Sequence, residues 1–200
     1  MAIKFGEFFA NLDKNANVRG NQFERAAKWW LENDPVWSSI VDKVWHWNEW
    51  PDANGRDIGI DLVAKDREGK FYAVQVKAYD PESNLKKSDI DSFLSASSQK
   101  IFSTRLLLTT TKFIGTNAKR ALEDQEKPVH VVDWNRLEAS IVDWSGALAD
   151  KKSDKTIFIY FFIIDSILAE LIFVLYIRKP VAHAEISKSV SAAKYCATSV

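Results

Sequence analysis

The chain has a single cysteine, Cys196, which excludes an internal disulfide. Its histidines, His46, His130 and His183, are scattered and form no cluster of zinc-ligand spacing, so structural or exposed roles are expected for them. Neither sign of charge is in excess. With 27 basic against 27 acidic residues there is no global basic footprint for nucleic acid, and such contacts must come from local patches. No GxxxxGK[ST] phosphate loop occurs, so no ATPase activity can be assigned to these residues. No secretory signal is recognisable, and a cytoplasmic setting is expected. The 200 residues suffice for one domain of ordinary size with a real core.

What is present centres on two short apolar segments. Residues 58–64 alternate, with Ile58, Ile60 and Leu62 against Asp57, Gly59 and Asp61. Residues 71–79 alternate too, with Tyr72, Val74, Val76 and Ala78 against Phe71, Ala73, Gln75, Lys77 and Tyr79. Alternation of this period predicts strands, and the intervening Lys65–Lys70, with Gly69, is turn chemistry. The unit therefore reads as a β-hairpin. Symmetry about position 68 opposes Asp61 to Gln75, Gly59 to Lys77, Ile60 to Val76, Leu62 to Val74 and Ile58 to Ala78. One face is then wholly apolar and the other carries Asp61, Gln75 and Lys77. A slip of one residue would turn polar groups into the core, so the pattern favours this register. Opposed Cβ atoms lie roughly 5 Å apart, close enough for Asp61 and Gln75 to share a hard cation such as Mg²⁺. Lys77, one position along, could polarise a water or steady a phosphate. Asp57 shares the Asp61 face and is a second candidate ligand. The spacing of Asp61, Gln75 and Lys77 taken alone also fits the solvated face of an ordinary hairpin.

The rest of the chain alternates helix and strand. Phe5, Phe8, Phe9 and Leu12 have helical spacing, as do Phe23, Ala27, Trp30 and Leu31 in the next segment, where Glu24 flanks the apolar stripe. Six of the eight tryptophans fall between 29 and 50, and core packing is the expected role for most of them. Val41–Trp47 reads as a first strand. Ser88-Asp89-Ile90-Asp91 resembles an N-cap with an acidic first turn, followed by a helix carrying Ile90, Phe93, Leu94 and Ser97. Arg105–Thr111 reads as a buried strand, residues 116–126 as a helix and Pro128–Asp133 as another strand. Asp133 then caps a last helix carrying Leu137, Ile141, Val142 and Trp144. Such alternation predicts an α/β domain with a central mixed sheet flanked by helices.

The hairpin resembles the catalytic core of the PD-(D/E)xK nucleases, in the Mrr-like branch where Gln replaces the second acid. The order of elements fits the restriction-endonuclease-like core of that family. Trp45–Pro51, Gly55–Ala64, Gln75-Val76-Lys77 and Ser88–Phe93 further resemble the N-terminal nuclease domain of Type ISP restriction enzymes, over about residues 1–148. The resemblance implies Mg²⁺-dependent cutting of double-stranded DNA in a restriction-modification (phage defence) system. It implies that Asp61 binds metal, that Gln75 completes the site and that Lys77 assists the attacking water. Glu24 matches the acid that the first core helix directs toward the metal; a solvent-facing helix carboxylate is the alternative. Pro51-Asp52 spells the family's PD but sits in a loop rich in Pro, Asn and Gly, and is read as a decoy. Arg56, Lys86, Lys87 and Lys100 are candidate DNA-backbone contacts, which would position the substrate without reading sequence. In the family the nuclease is joined to a helicase motor and to methyltransferase and recognition domains, so a helicase/methyltransferase module outside this chain is an implied partner. A catalytically silent DNA-binding or assembly module on the same fold is the alternative.

The expected division is a nuclease domain over residues 1–149 and a tail over 150–200. Residues 150–155 form a charged break, and 156–177 are hydrophobic over about the length of a membrane span. Asp165 and Glu170 interrupt that run at a cost of about 3 kcal/mol each on insertion scales. A membrane segment, a buried helix or strand pair, and a truncated gene read out of frame are the three readings; the abrupt change in composition favours the last. Residues 181–200 are small and polar, and disorder is expected there.

Overall fold

The phenylalanines at helical spacing near the start form α1 (Phe5–Ala10), which buries Phe5 and Phe8. The computed structural model describes residues 2–53 and 59–148, so the expectations for Arg56, Asp57, Ile58 and the tail lie outside the described residues. The Asn15 side chain starts α2 (Ala16–Asn33) by accepting from the Asn17 and Val18 N–H groups at 3.0 and 3.3 Å. This helix buries Phe23, Ala26, Ala27, Trp30 and Leu31 along one stripe. A short α3 (Trp37–Ile40) leads into β1 (Val41–His46), followed by β2 (Leu62–Asp66) and β3 (Phe71–Lys77). The remaining elements are β4 (Asn84–Leu85), α4 (Asp91–Ala96), β5 (Phe102–Thr109), β6 (Phe113–Ile114), α5 (Thr116–Glu123), β7 (Val129–Val132) and α6 (Trp134–Glu138).

The five-stranded sheet runs β1-β2-β3-β5-β7. Its first three strands pair antiparallel, while β3, β5 and β7 pair parallel. Parallel neighbours need crossovers, and α4 and α5 provide them. Both faces of the sheet are covered. Leu62, Val74, Val76, Leu106 and Leu108 pack with α1, α2 and Trp144 in one core. Val63, Ala73 and Leu107 pack with Phe93 of α4 and with Ala118 and Leu122 of α5 in the other. The six clustered tryptophans divide between these cores, Trp29, Trp30 and Trp37 in the first and Trp45, Trp47 and Trp50 in the second. This is the central mixed sheet flanked by helices that the sequence predicts.

Five local expectations need correction. The β2–β3 register is the expected one, with Leu62 opposite Val74 and Ala64 opposite Tyr72, but β2 begins at Leu62 and runs through Lys65 and Asp66. The hairpin face opposite Leu62 and Val74 is not an outer face, because α4 and α5 bury Val63 and Ala73 on it. Ile60 joins that second core, not the core of Leu62 and Val76, so the period of two breaks between residues 60 and 62. The helix with the acidic first turn is preceded by a 3₁₀ turn, Lys87–Asp89, and starts at Asp91. The last helix stops at Glu138, which leaves Ile141 83% exposed, and helical backbone resumes only at residues 145–148.

Candidate functional site

Asp61 stands where the regular ladder stops. Its N–H donates to the Val74 carbonyl at 2.9 Å, and its own carbonyl accepts from the Trp47 N–H at 2.8 Å. In a regular strand both groups of one residue point to the same neighbour; here they serve β3 and the end of β1. That twist turns the carboxylate back onto β3. Asp61 Oδ2 accepts from Gln75 Nε2 at 2.5 Å and from the Val76 N–H at 2.6 Å. A carboxylate thus takes the place a main-chain carbonyl would hold in a continued ladder. Just before it, Gly59 has φ of 83°. A Cβ there would lie 2.7 Å from Ser92 Oγ and 3.3 Å from the Phe93 nitrogen, so a glycine is needed for this loop to lie against α4.

Gln75 is 2% exposed, and its buried Oε1 has no hydrogen-bond donor among the described residues. Unsatisfied buried oxygens are uncommon, and one beside a carboxylate calls for an explanation. Glu24, half-buried on α2, lines with Asp61, Asn21, His46 and Asn48 a cleft of about 290 Å³. The structure therefore joins Asp61 to Gln75 by contact and Asp61 to Glu24 by a shared cleft. Lys77 ends β3, two residues beyond Gln75 and half-buried, with Thr109 as its neighbour on β5. Neither Gln75 nor Lys77 lines that cleft.

The donor set suits a hard divalent cation: two carboxylates and an amide oxygen lacking a donor, with no sulfur. Among the described residues no three His, Cys, Asp or Glu side chains group as metal ligands; a cation in the cleft would rest on Asp61 and Glu24, and Gln75, outside the lining, would join it only by turning its amide oxygen toward Asp61. His46 was the residue the sequence did not mark. The alternation of β1 places it on the side of Val44, toward α2, and so in the cleft. Burial lowers its pKa below the ordinary value, and the charges of Lys28 and Arg25 lower it further against the opposing pull of Glu49.

The expected DNA contacts separate. Lys86 and Lys87 line a cleft of about 510 Å³ with Ser88 and residues 115–118 at the start of α5. Lys87 is ion-paired there with Asp91 at 2.5 Å. Lys100 precedes β5 at the end where Phe102 pairs with Phe71, whereas Lys77 pairs with Thr109 at the other end. Along the strands that separation is about 20 Å, so Lys100 is not brought to the site. Asp52 is exposed in its loop, apart from the residues that line the cleft. Among the described residues no helix is long and apolar enough to cross a membrane.

Comparison with known proteins adds the following. A family model described as a restriction endonuclease matches residues 32–154. Among solved structures, the chain is similar to the ATP-dependent Type ISP restriction-modification enzyme LlaBIII bound to DNA, at 28% identity and a TM-score of 0.58. The likeness covers 68% of this chain and 9% of that one, so the chain spans about a tenth of that enzyme's length. More distant is the MspJI restriction endonuclease in complex with a 27-mer oligonucleotide, at 15% identity and a TM-score of 0.44, over 67% of this chain and 29% of that one. The DNA modification-dependent restriction endonuclease AspBHI matches at 20% identity and a TM-score of 0.40, over 57% of this chain and 29% of that one. No curated protein matches the chain.

Proposed function

The chain belongs to the restriction endonuclease family, matched over residues 32–154, and from that premise we propose that its DNA-cutting reaction is Mg²⁺-dependent and centred on Asp61, Gln75, Lys77 and Glu24. The observation that carries this reading is the buried Gln75 oxygen, without a donor, beside the Asp61 carboxylate at the mouth of the hairpin. Double-stranded DNA is the substrate; the similarity to an enzyme described as bound to DNA supports it.

A DNA phosphodiester repels hydroxide. Asp61 and Glu24, with the Gln75 oxygen once turned toward them, would hold Mg²⁺, which when bound would offset the phosphate charge and make water more acidic. Gln75 is neutral, so the hairpin alone offers one negative charge, and Glu24 restores the second. Asp61 is held in place by the Val76 N–H, which keeps its carboxylate turned toward the mouth of the hairpin. Lys77 orients the attacking water or stabilises charge developing on the phosphate. The water oxygen bonds to phosphorus as one P–O ester bond breaks. The water loses a proton and the departing alkoxide gains one, leaving a phosphomonoester and a free hydroxyl. Lys86 and Lys87 contact the backbone at the α5 cleft, and Arg56 is a further candidate contact outside the described residues. A helicase/methyltransferase module carried elsewhere is the proposed partner for directed cutting.

The test is plasmid cleavage by the full chain with Mg²⁺ or Mn²⁺, beside Asp61→Ala and Lys77→Ala. Metal-dependent nicking or linearisation, lost in both variants, is expected. No cleavage by a folded protein that still binds DNA would turn the reading to a silent DNA-binding module.

A further inference from the structure

A cleft lined by two carboxylates repels the polyanion it is meant to receive. Cations at its rim must offset that repulsion if a DNA strand is to settle there. Helix α2, which contributes Asn21 and Glu24 to the wall, carries Arg25 and Lys28 immediately beyond them. Arg25 is exposed and Lys28 half-buried. Arg25 lies one turn from Asn21 and Lys28 one turn from Glu24, so both stand on the side of α2 that meets the cleft, and both charges lower the His46 pKa. Neither cation enters an ion pair with a described residue, whereas Lys70, Lys87, Lys112 and Lys119 are each tied to a carboxylate. Positive charge with no ion pair among the described residues therefore gathers beside Glu24, on the α2 side of the sheet, and not in the Lys86–Lys87 cleft alone.

Resting on the nuclease reading above, we propose that Arg25 and Lys28, with the His46 imidazole, bind the DNA backbone at the rim of the Glu24–Asp61 cleft and position the strand to be cut. The guanidinium and ammonium groups meet phosphate oxygens on the strand side of α2. The imidazole, kept neutral by its surroundings, donates one N–H to a phosphate oxygen and adds no net charge. This surface reads no base edges, so it is indifferent to sequence.

The experiment is fluorescence anisotropy of a labelled duplex of about 20 base pairs with the full chain, without divalent cation, between roughly 50 and 200 mM salt. Two phosphate contacts contribute a slope of about 1.8 in log affinity against log salt, which over that fourfold range is a factor of about 12. The expected result is that Arg25→Ala/Lys28→Ala binds more weakly and loses that share of the salt dependence, while Arg25→Lys/Lys28→Arg keeps it. His46→Ala should weaken binding with the slope unchanged. Thermal unfolding of each variant confirms that the fold is retained. A double alanine variant with wild-type affinity and slope overturns the proposal and leaves the nuclease reading standing. A folded wild-type chain that binds no DNA overturns both.

Discussion

Replacing Gln75 by glutamate probes the contact on which the site depends. In the wild type an amide N–H meets Asp61 Oδ2 at 2.5 Å. Gln75→Glu puts a second carboxylate in that place, 2% exposed and beside the first. Two unit charges about 4 Å apart repel by about 4 kcal/mol at an effective dielectric near 20. A hydrogen bond to a charged group, worth roughly 1.5–3 kcal/mol, is lost as well. The protein limits the penalty by keeping one carboxyl protonated, so the expected net loss is about 3 kcal/mol at pH 8. For a chain of this size that lowers Tm by about 6–12 °C. The pH dependence has a definite sign. One carboxyl of the pair has its folded pKa raised, so the stability it contributes is present below about pH 4 and is lost as pH rises through the raised value. Millimolar Mg²⁺ should recover much of the loss, because a cation between two carboxylates replaces the missing proton, and it should shift the wild type less. The assay is thermal unfolding followed by tryptophan fluorescence, in EDTA and in Mg²⁺, across pH. An unchanged Tm in EDTA would mean that the two side chains do not touch. A fall in Tm that no divalent cation reverses would refute the cation site while leaving the contact intact.

Other outcomes follow from the same geometry. Asp61→Ala should lower cleavage by about 10²-fold or more, as loss of a preorganised charged group does, and it should cost about 2–4 kcal/mol of stability by leaving two buried N–H donors without an acceptor; a stable but inactive variant would mean that the carboxylate is not part of the ladder. Gly59→Ala should cost at least about 1–2 kcal/mol for its positive φ, and more for the approach to Ser92. Adding Ser92→Gly should return the second part only, and equal losses in single and double variants would contradict the close packing. The lowered pKa of His46 makes stability rise with pH up to its ordinary value of 6.5 and fall as the solution is acidified below it. Denaturant unfolding of His46→Gln should show a flatter dependence just below pH 6.5 than the wild type.

The sheet was legible because its signals are local and redundant. The β2–β3 register follows from burying Leu62 against Val74, and a slip would invert every side chain of the strand. The helices announced themselves through Phe5 and Phe8, through Phe23, Ala27 and Trp30, and through Asp133, whose side chain caps α6 by accepting from the Arg136 N–H at 3.0 Å. Alternation failed at Ile60. It is apolar and two residues from Leu62, so a period-two reading assigns it to the same face, yet the two lie in different cores. The cause is the split in Asp61's main-chain hydrogen bonds between β1 and β3, made accessible by the positive φ of Gly59. Residue-type patterns do not encode such a departure, because any apolar residue satisfies either core. The departure is nonetheless what presents the carboxylate: a regular strand would point Asp61 across the pleat without delivering it to the Val76 N–H. His46, read from the sequence as structural or exposed, lies in the cleft for a related reason. Its place in the cleft comes from the packing of α2 on β1, a long-range contact with no signature near residue 46. The contact of Asp61 with Gln75 was legible in the sequence because both sit on one hairpin, where spacing converts directly into distance. Residues that reach a cleft from separate elements, such as Glu24 and His46, become a group only when those elements pack.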